Sequence, residues 1–151
     1  IRYPRGDACD LWREMRAPIV QGRSEVLCEG TDVALFAIGT MVETAWKVKE
    51  QLAERDITAT VVNARFMAPL DEKEILSAAE KYPLIVTMEE NVVSGGFGEH
   101  IAALLKEHEA KVKVLPVAIE NRFVEHGDVE TLRRVLGIDE KTITDRICEE
   151  L

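Results

Sequence analysis

Four short segments carry residue types that can do chemistry and that hydrophobic alternation alone does not require. In Arg2-Tyr3-Pro4-Arg5-Gly6 the proline fixes φ and the glycine permits a sharp turn, so Arg5 can be held toward an anion. A solvated arginine is the plainer reading. In Val62-Asn63-Ala64-Arg65-Phe66-Met67-Ala68-Pro69-Leu70-Asp71, Asn63 and Arg65 follow an apolar run and can face a crevice at a sheet's carboxyl edge. Phe66, Met67 and Leu70 read equally as packing residues, and Asp71 as a helix N-cap. Glu89-Glu90-Asn91 precedes Ser94-Gly95-Gly96-Phe97-Gly98-Glu99-His100, and a glycine turn between strand and helix can cradle phosphate on backbone N–H groups. Here no Lys-Ser/Thr follows, and Glu89, Glu90 and Glu99 oppose an anion, so glycines serving tight turns or close approach are the favoured reading. The fourth segment is Asn121-Arg122-Phe123-Val124-Glu125-His126-Gly127-Asp128. His126 beside Glu125 has the makings of an acid or base, but a loop histidine before the cap Asp128 is favoured, since no nucleophile or metal ligand stands at a defined spacing.

The elements that must position these segments follow from apolar periodicity. Short apolar runs at Val26 to Cys28, Asp32 to Ile38, Ile57 to Phe66, Leu84 to Met88 and Val112 to Ile119 read as strands. Between them lie stretches with apolar residues at helical spacing: Val42 to Leu52, Ile75 to Tyr82 and Ile101 to Leu105. Two short helices, about Val129 to Leu136 and Lys141 to Leu151, close the chain. Thr40 reads as a helix cap, Pro83 as a helix stop and Gly137 as a C-cap. Strands separated by helices predict right-handed crossovers and a largely parallel sheet covered on both faces, with strand order left open.

The chain has 151 residues, with Lys+Arg 19 against Asp+Glu 28 for a net charge of −9, which argues against nucleic acid or an anionic membrane as the main partner. Its length suits one core. Cys9, Cys28 and Cys148 are odd in number and lack CxxC spacing, which disfavours a disulfide framework or zinc site and fits a reducing, cytoplasmic setting. No apolar run is long enough for a membrane-spanning helix, and no signal-peptide segment opens the chain. Residues 1–23 stand outside the strand and helix rhythm. They read as the end of a preceding domain and a linker, with one domain over 24–151.

The same segments resemble the C-terminal part of the 1-deoxy-D-xylulose-5-phosphate synthase family, within the transketolase superfamily. Arg2 to Gly6 is similar to the end of that family's pyrimidine-binding domain. Gly39 to Val42, Val61 to Phe66, Pro69 to Asp71, Glu89 to Asn91, Gly95 to Gly98 and Arg122 to Gly127 are similar to its C-terminal domain. The resemblance implies a three-layer α/β/α fold with a five-stranded, mostly parallel (mixed) sheet whose first strand is antiparallel. It further implies a homodimeric transferase in isoprenoid and thiamine biosynthesis. That enzyme uses thiamine diphosphate and Mg²⁺ to condense pyruvate with D-glyceraldehyde 3-phosphate. The family holds cofactor and metal in other domains of the same chain, so the resemblance implies none bound by this piece and no catalytic residue in it. Its role would be structural and dimer-supporting, and the piece inactive alone. Arg5 alone maps to a position that binds the acceptor's phosphate. The alternatives are the C-terminal domain of a transketolase or of a 2-oxoacid dehydrogenase β subunit, and an independent nucleotide-binding or interaction module.

Overall fold

A computed structural model describes residues 17–151, and the elements run β1 (Glu25–Cys28), β2 (Val33–Ala37), α1 (Met41–Ala53), β3 (Ala59–Asn63), α2 (Glu72–Lys81), β4 (Leu84–Val92), α3 (Phe97–Glu107), β5 (Lys113–Ile119), α4 (Val129–Leu136) and α5 (Glu140–Glu150). The strands form one five-stranded sheet in the order β1-β3-β2-β4-β5. β1 pairs antiparallel with β3, and all other neighbours are parallel. The α/β, mixed-sheet expectation is met.

Side chains alternate across each strand, so one sheet needs two covers. Val33, Leu35 and Ala37 of β2 join Val86 and Met88 of β4 in a core closed by Met41, Ala45, Val48 and Leu52 of α1 and Ile143 and Ile147 of α5. The intervening Ala34 and Phe36, with Val62 and Ile85, pack on Ile75 and Ala78 of α2 and Phe97, Ile101 and Leu105 of α3. β2, at the centre, is buried along its whole length. α4 buries none of its residues fully.

The helix boundaries follow local chemistry. Asp71 accepts a hydrogen bond from the Glu74 N–H and caps α2, and Tyr82, before Pro83, is extended and ends it. Asp128 caps α4, and Gly137 closes it in the left-handed conformation at φ 67°. Thr40 departs from expectation: it stands at the N-cap position of α1 in a helical conformation and its side chain makes no cap bond. Two strands also differ from their predicted lengths. β3 is confined to 59–63 because Arg65, at φ 58°, turns the chain away after the Ala64 N–H has bonded to the Ala37 carbonyl. β4 continues through the polar run Glu89-Glu90-Asn91 to Val92, paired there with Ile119 of β5 beyond a register shift. A hydrophobicity pattern ends that strand at Met88, where the apolar residues stop.

The outer strand β5 carries Pro116, exposed and in register with Thr87, and its carbonyl accepts a hydrogen bond from Arg146 of α5 at 3.1 Å. Over this pair α3 lies so close that a Cβ at Gly98 would stand 2.5 Å from Thr87 Oγ1 and 3.6 Å from the Pro116 Cβ. That hydroxyl is buried without a hydrogen-bond partner. Gly98→Ala is therefore expected to destabilise the domain by about 1–3 kcal/mol, as overpacking does. Adding Thr87→Ala should restore most of the loss in urea denaturation, since it removes the clashing atom without breaking a hydrogen bond. A double variant no more stable than Gly98→Ala would show that the tight contact lies elsewhere.

Candidate functional site

In an open α/β sheet ligands bind beyond the carboxyl ends of the strands, where neighbouring connections leave toward opposite faces. β2 leads into α1 on one face and β4 into α3 on the other, so the crevice lies between Thr40 and the Glu89-Glu90-Asn91 run. Here the chain's own side chains meet. The Thr40 hydroxyl donates to Glu90 Oε2. Arg133 of α4 donates from Nε to Glu90 Oε1 at 2.6 Å. Burial pushes the Glu90 carboxyl up, but the bonds from Arg133 and Thr40 outweigh it and hold the group below its ordinary value.

Next to it, Glu89 is 3% exposed and its two oxygens accept from the Phe97 and Gly98 N–H groups, each at 2.9 Å. These are first-turn amides of α3, the donors a phosphate would use. The glycines serve this contact. A Cβ at Gly96 would lie 2.6 Å from Glu89 Oε1 and 2.5 Å from the Val92 carbonyl, and Gly95 takes φ +70°. The glycine loop thus provides close approach, as the sequence favoured, and a phosphate would have to displace a buried carboxylate.

Arg65 does not face an open crevice. Its guanidinium donates to Glu25 Oε2 at 2.6 Å and to the carbonyls of Ala17 and Pro18 at 3.0 and 3.1 Å, and both side chains of the ion pair are nearly buried. Asn63 turns back on the loop, its Oδ1 accepting from the Arg65 N–H at 3.2 Å. Asp71 receives the Ser24 N–H and hydroxyl at 2.8 and 3.0 Å, and Arg23 at 3.1 Å. Burial raises its carboxyl, and these donors more than offset that, leaving it lowered. His126 and Glu125 stand on an exposed loop, where Asp128 accepts from the Thr131 N–H at 2.9 Å. Arg5 and Cys9 lie outside the described residues, while Cys28 and Cys148 are free thiols.

Sequence reasoning missed Glu25, Ser24 and Arg133. Each pairs with a residue tens of positions away, and only the strand order brings them together. Among the described residues no cluster of His, Cys, Asp or Glu could hold a metal ion. With the α3 amides taken by Glu89, the described residues do not fit a diphosphate with its metal.

A mixed five-stranded sheet with one antiparallel edge strand, covered by helices on both faces, is the architecture of a transketolase C-terminal-type domain. The chain belongs to that family: the model described as transketolase, C-terminal domain matches residues 22–143. Among curated proteins it is 44% identical over 151 residues to 1-deoxy-D-xylulose-5-phosphate synthase of Lachnoclostridium phytofermentans, covering 99% of this chain and 24% of that protein. It is 47% identical over 142 residues to the synthase of that name from Desulforudis audaxviator, covering 91% and 22%. The chain thus spans about a quarter of the length of the curated relatives it matches. Among solved structures, a split-gene transketolase described as an inactive beta4 tetramer superposes with TM-score 0.82 at 29% identity, over 90% of this chain and 45% of that one. Transketolase of Campylobacter jejuni, at 17% identity and TM-score 0.64 over 87% of this chain and 19% of that one, shares the fold.

Two outcomes follow from the site's electrostatics. Glu89→Gln puts an NH₂ against one of two backbone donors and is expected to cost about 2 kcal/mol in urea denaturation, the usual size for a buried group left unpaired. A loss below about 0.5 kcal/mol would show that the α3 amides find other partners. The folded-state values of Asp71 and Glu90 are lowered, so their contribution is fully present above the unfolded values and is lost as pH falls through the folded ones. Stability should therefore decline on acidification below about pH 4.5, less steeply in Glu90→Gln. Glu74, whose carboxyl burial pushes up, acts in the opposite sense. An identical pH slope in Glu90→Gln would remove Glu90 from this account.

Proposed function

We propose that this chain is the C-terminal domain of a 1-deoxy-D-xylulose-5-phosphate synthase, a thiamine diphosphate transferase that condenses pyruvate with D-glyceraldehyde 3-phosphate and releases CO₂. The observation that carries this is similarity along the whole chain to relatives of that name, at 44% identity over 151 residues. The two transketolase structures described above stand at 29% and 17%.

In this reading the thiamine diphosphate, the Mg²⁺ and the catalytic groups belong to other domains of a longer, cytoplasmic polypeptide that works as a homodimer and feeds isoprenoid and thiamine biosynthesis. Residues 1–23 close the preceding domain and link it to this one, which begins at residue 24. The closed carboxyl edge supports a structural part for the domain: Glu25, Asp71, Glu89 and Glu90 already fill the positions from which Arg65, Arg23, the α3 amides and Arg133 would hold a ligand. Arg5 supplies the one substrate contact, its guanidinium fork matching the acceptor's phosphate.

The test is steady-state kinetics on the full-length protein. Arg5→Ala is expected to raise the KM for D-glyceraldehyde 3-phosphate about 10-fold or more, the scale of a lost charge-assisted hydrogen bond, and to leave that for pyruvate within about twofold. Equal effects on both substrates would take Arg5 out of the phosphate role. The 151 residues alone are expected to show no turnover, and measurable synthase activity from them would overturn the assignment of chemistry to other domains.

A further inference from the structure

Residues 17–24 precede the first strand, yet they are fastened at both ends to the loop between β3 and α2. At one end Ala17 donates its N–H to Glu25 Oε1 at 2.6 Å, while the Ala17 and Pro18 carbonyls receive the Arg65 guanidinium at 3.0 and 3.1 Å. At the other, Asp71 accepts Ser24 through both backbone and side chain, and Arg23 through its guanidinium. Between these anchors the Arg23 N–H closes a turn on the Val20 carbonyl at 3.1 Å, and Gly22, at φ +69°, lies against Pro69. The turn thus held presents Ile19 and Val20 at 78% and 53% exposure. Two large apolar side chains on a clamped turn thus stay mostly open, Val20 by half and Ile19 by more. Holding them outward costs conformational entropy that contacts elsewhere must offset.

We propose that Asp71 and the Glu25–Arg65 pair are positioning residues that clasp residues 17–24, and that Ile19 and Val20 seat against the polypeptide preceding this domain in the full-length protein. The commitment to that occupant rests on the reading of the chain as part of a longer synthase. The turn begins ahead of residue 22, where the family match starts, while similarity to the much longer relatives runs through it. Asp71 fits the task because it serves two masters at once. Its Oδ1 caps α2 through the Glu74 N–H, and its Oδ2 holds Ser24, so the connector's path is fixed to a helix end.

The test is hydrogen–deuterium exchange on the full-length protein, comparing wild type with Asp71→Asn, Ser24→Ala and Ile19→Ser. Asp71→Asn keeps an oxygen for the Glu74 amide but sets an NH₂ against the Ser24 donors, and Ser24→Ala leaves the helix cap untouched. Within 19–24, the hydrogen-bonded amides of Arg23 and Ser24 should exchange about 10-fold faster in Asp71→Asn and about threefold faster in Ser24→Ala, the scale of lost charged and neutral hydrogen bonds, with α2 unchanged. Ile19→Ser should speed exchange in a segment ahead of residue 17. Unaltered exchange of 19–24 in both clasp variants overturns the clasp, and an Ile19→Ser protein identical to wild type ahead of residue 17 overturns the seating. A protein that shows these changes yet makes no 1-deoxy-D-xylulose 5-phosphate would refute the activity and leave the clasp standing.

Discussion

The contact between the Glu89 carboxylate and the first-turn amides of α3 is the constraint around which this domain is arranged. A carboxylate taken out of water costs several kcal/mol unless its oxygens are bonded, and helix N-terminal amides are among the best partners available. Satisfying Glu89 requires β4 to run on past its apolar segment, and it requires α3 to begin directly above the strand. The approach leaves no room for side chains at Gly96 and Gly98. Strand length, loop composition and helix position thus have one cause.

The same logic recurs around the carboxyl edge. Three arginines among the described residues are each met by an acid from another element: Arg65 by Glu25, Arg133 by Glu90, Arg23 by Asp71. Each pair joins elements that neighbouring strands alone would not hold. Arg133 is the clearest instance, because α4 buries none of its residues fully and depends on that bond and on Leu136 for its place. The edge of an open sheet is ordinarily its chemical face. Here, among the described residues, it is a seam closed within the domain.

The sequence pattern carried the layered architecture because β2, buried on both faces, can only be an unbroken apolar run, and because Asp71, Asp128, Pro83 and Gly137 act on their immediate neighbours. It predicted the glycines' purpose for the same reason. Nothing local encodes which strands lie side by side, so the antiparallel first strand came only from resemblance, and the partnerships of Glu25, Ser24 and Arg133 could not be read. Thr40 was misassigned for a related cause. Its hydroxyl had a local use as a cap and a distant one on Glu90, and the distant one prevails. The end of β4 was missed because strand periodicity is a signal of burial, and Glu90 and Asn91, exposed and inside the register shift, separate the apolar run from Val92, where pairing with Ile119 resumes.

The outer strand has a bearing on how the molecule behaves when crowded. A parallel edge offers alternating amides and carbonyls on which a strand of another molecule can template. On β5 that row is interrupted at Pro116, which lacks an N–H and whose outward carbonyl is taken by Arg146. At the opposite edge, β1 is only four residues long and carries a register irregularity. Among the described residues, both margins thus oppose strand addition by a second copy. These are the features by which sheets discourage runaway strand addition, a hazard greatest during synthesis and folding.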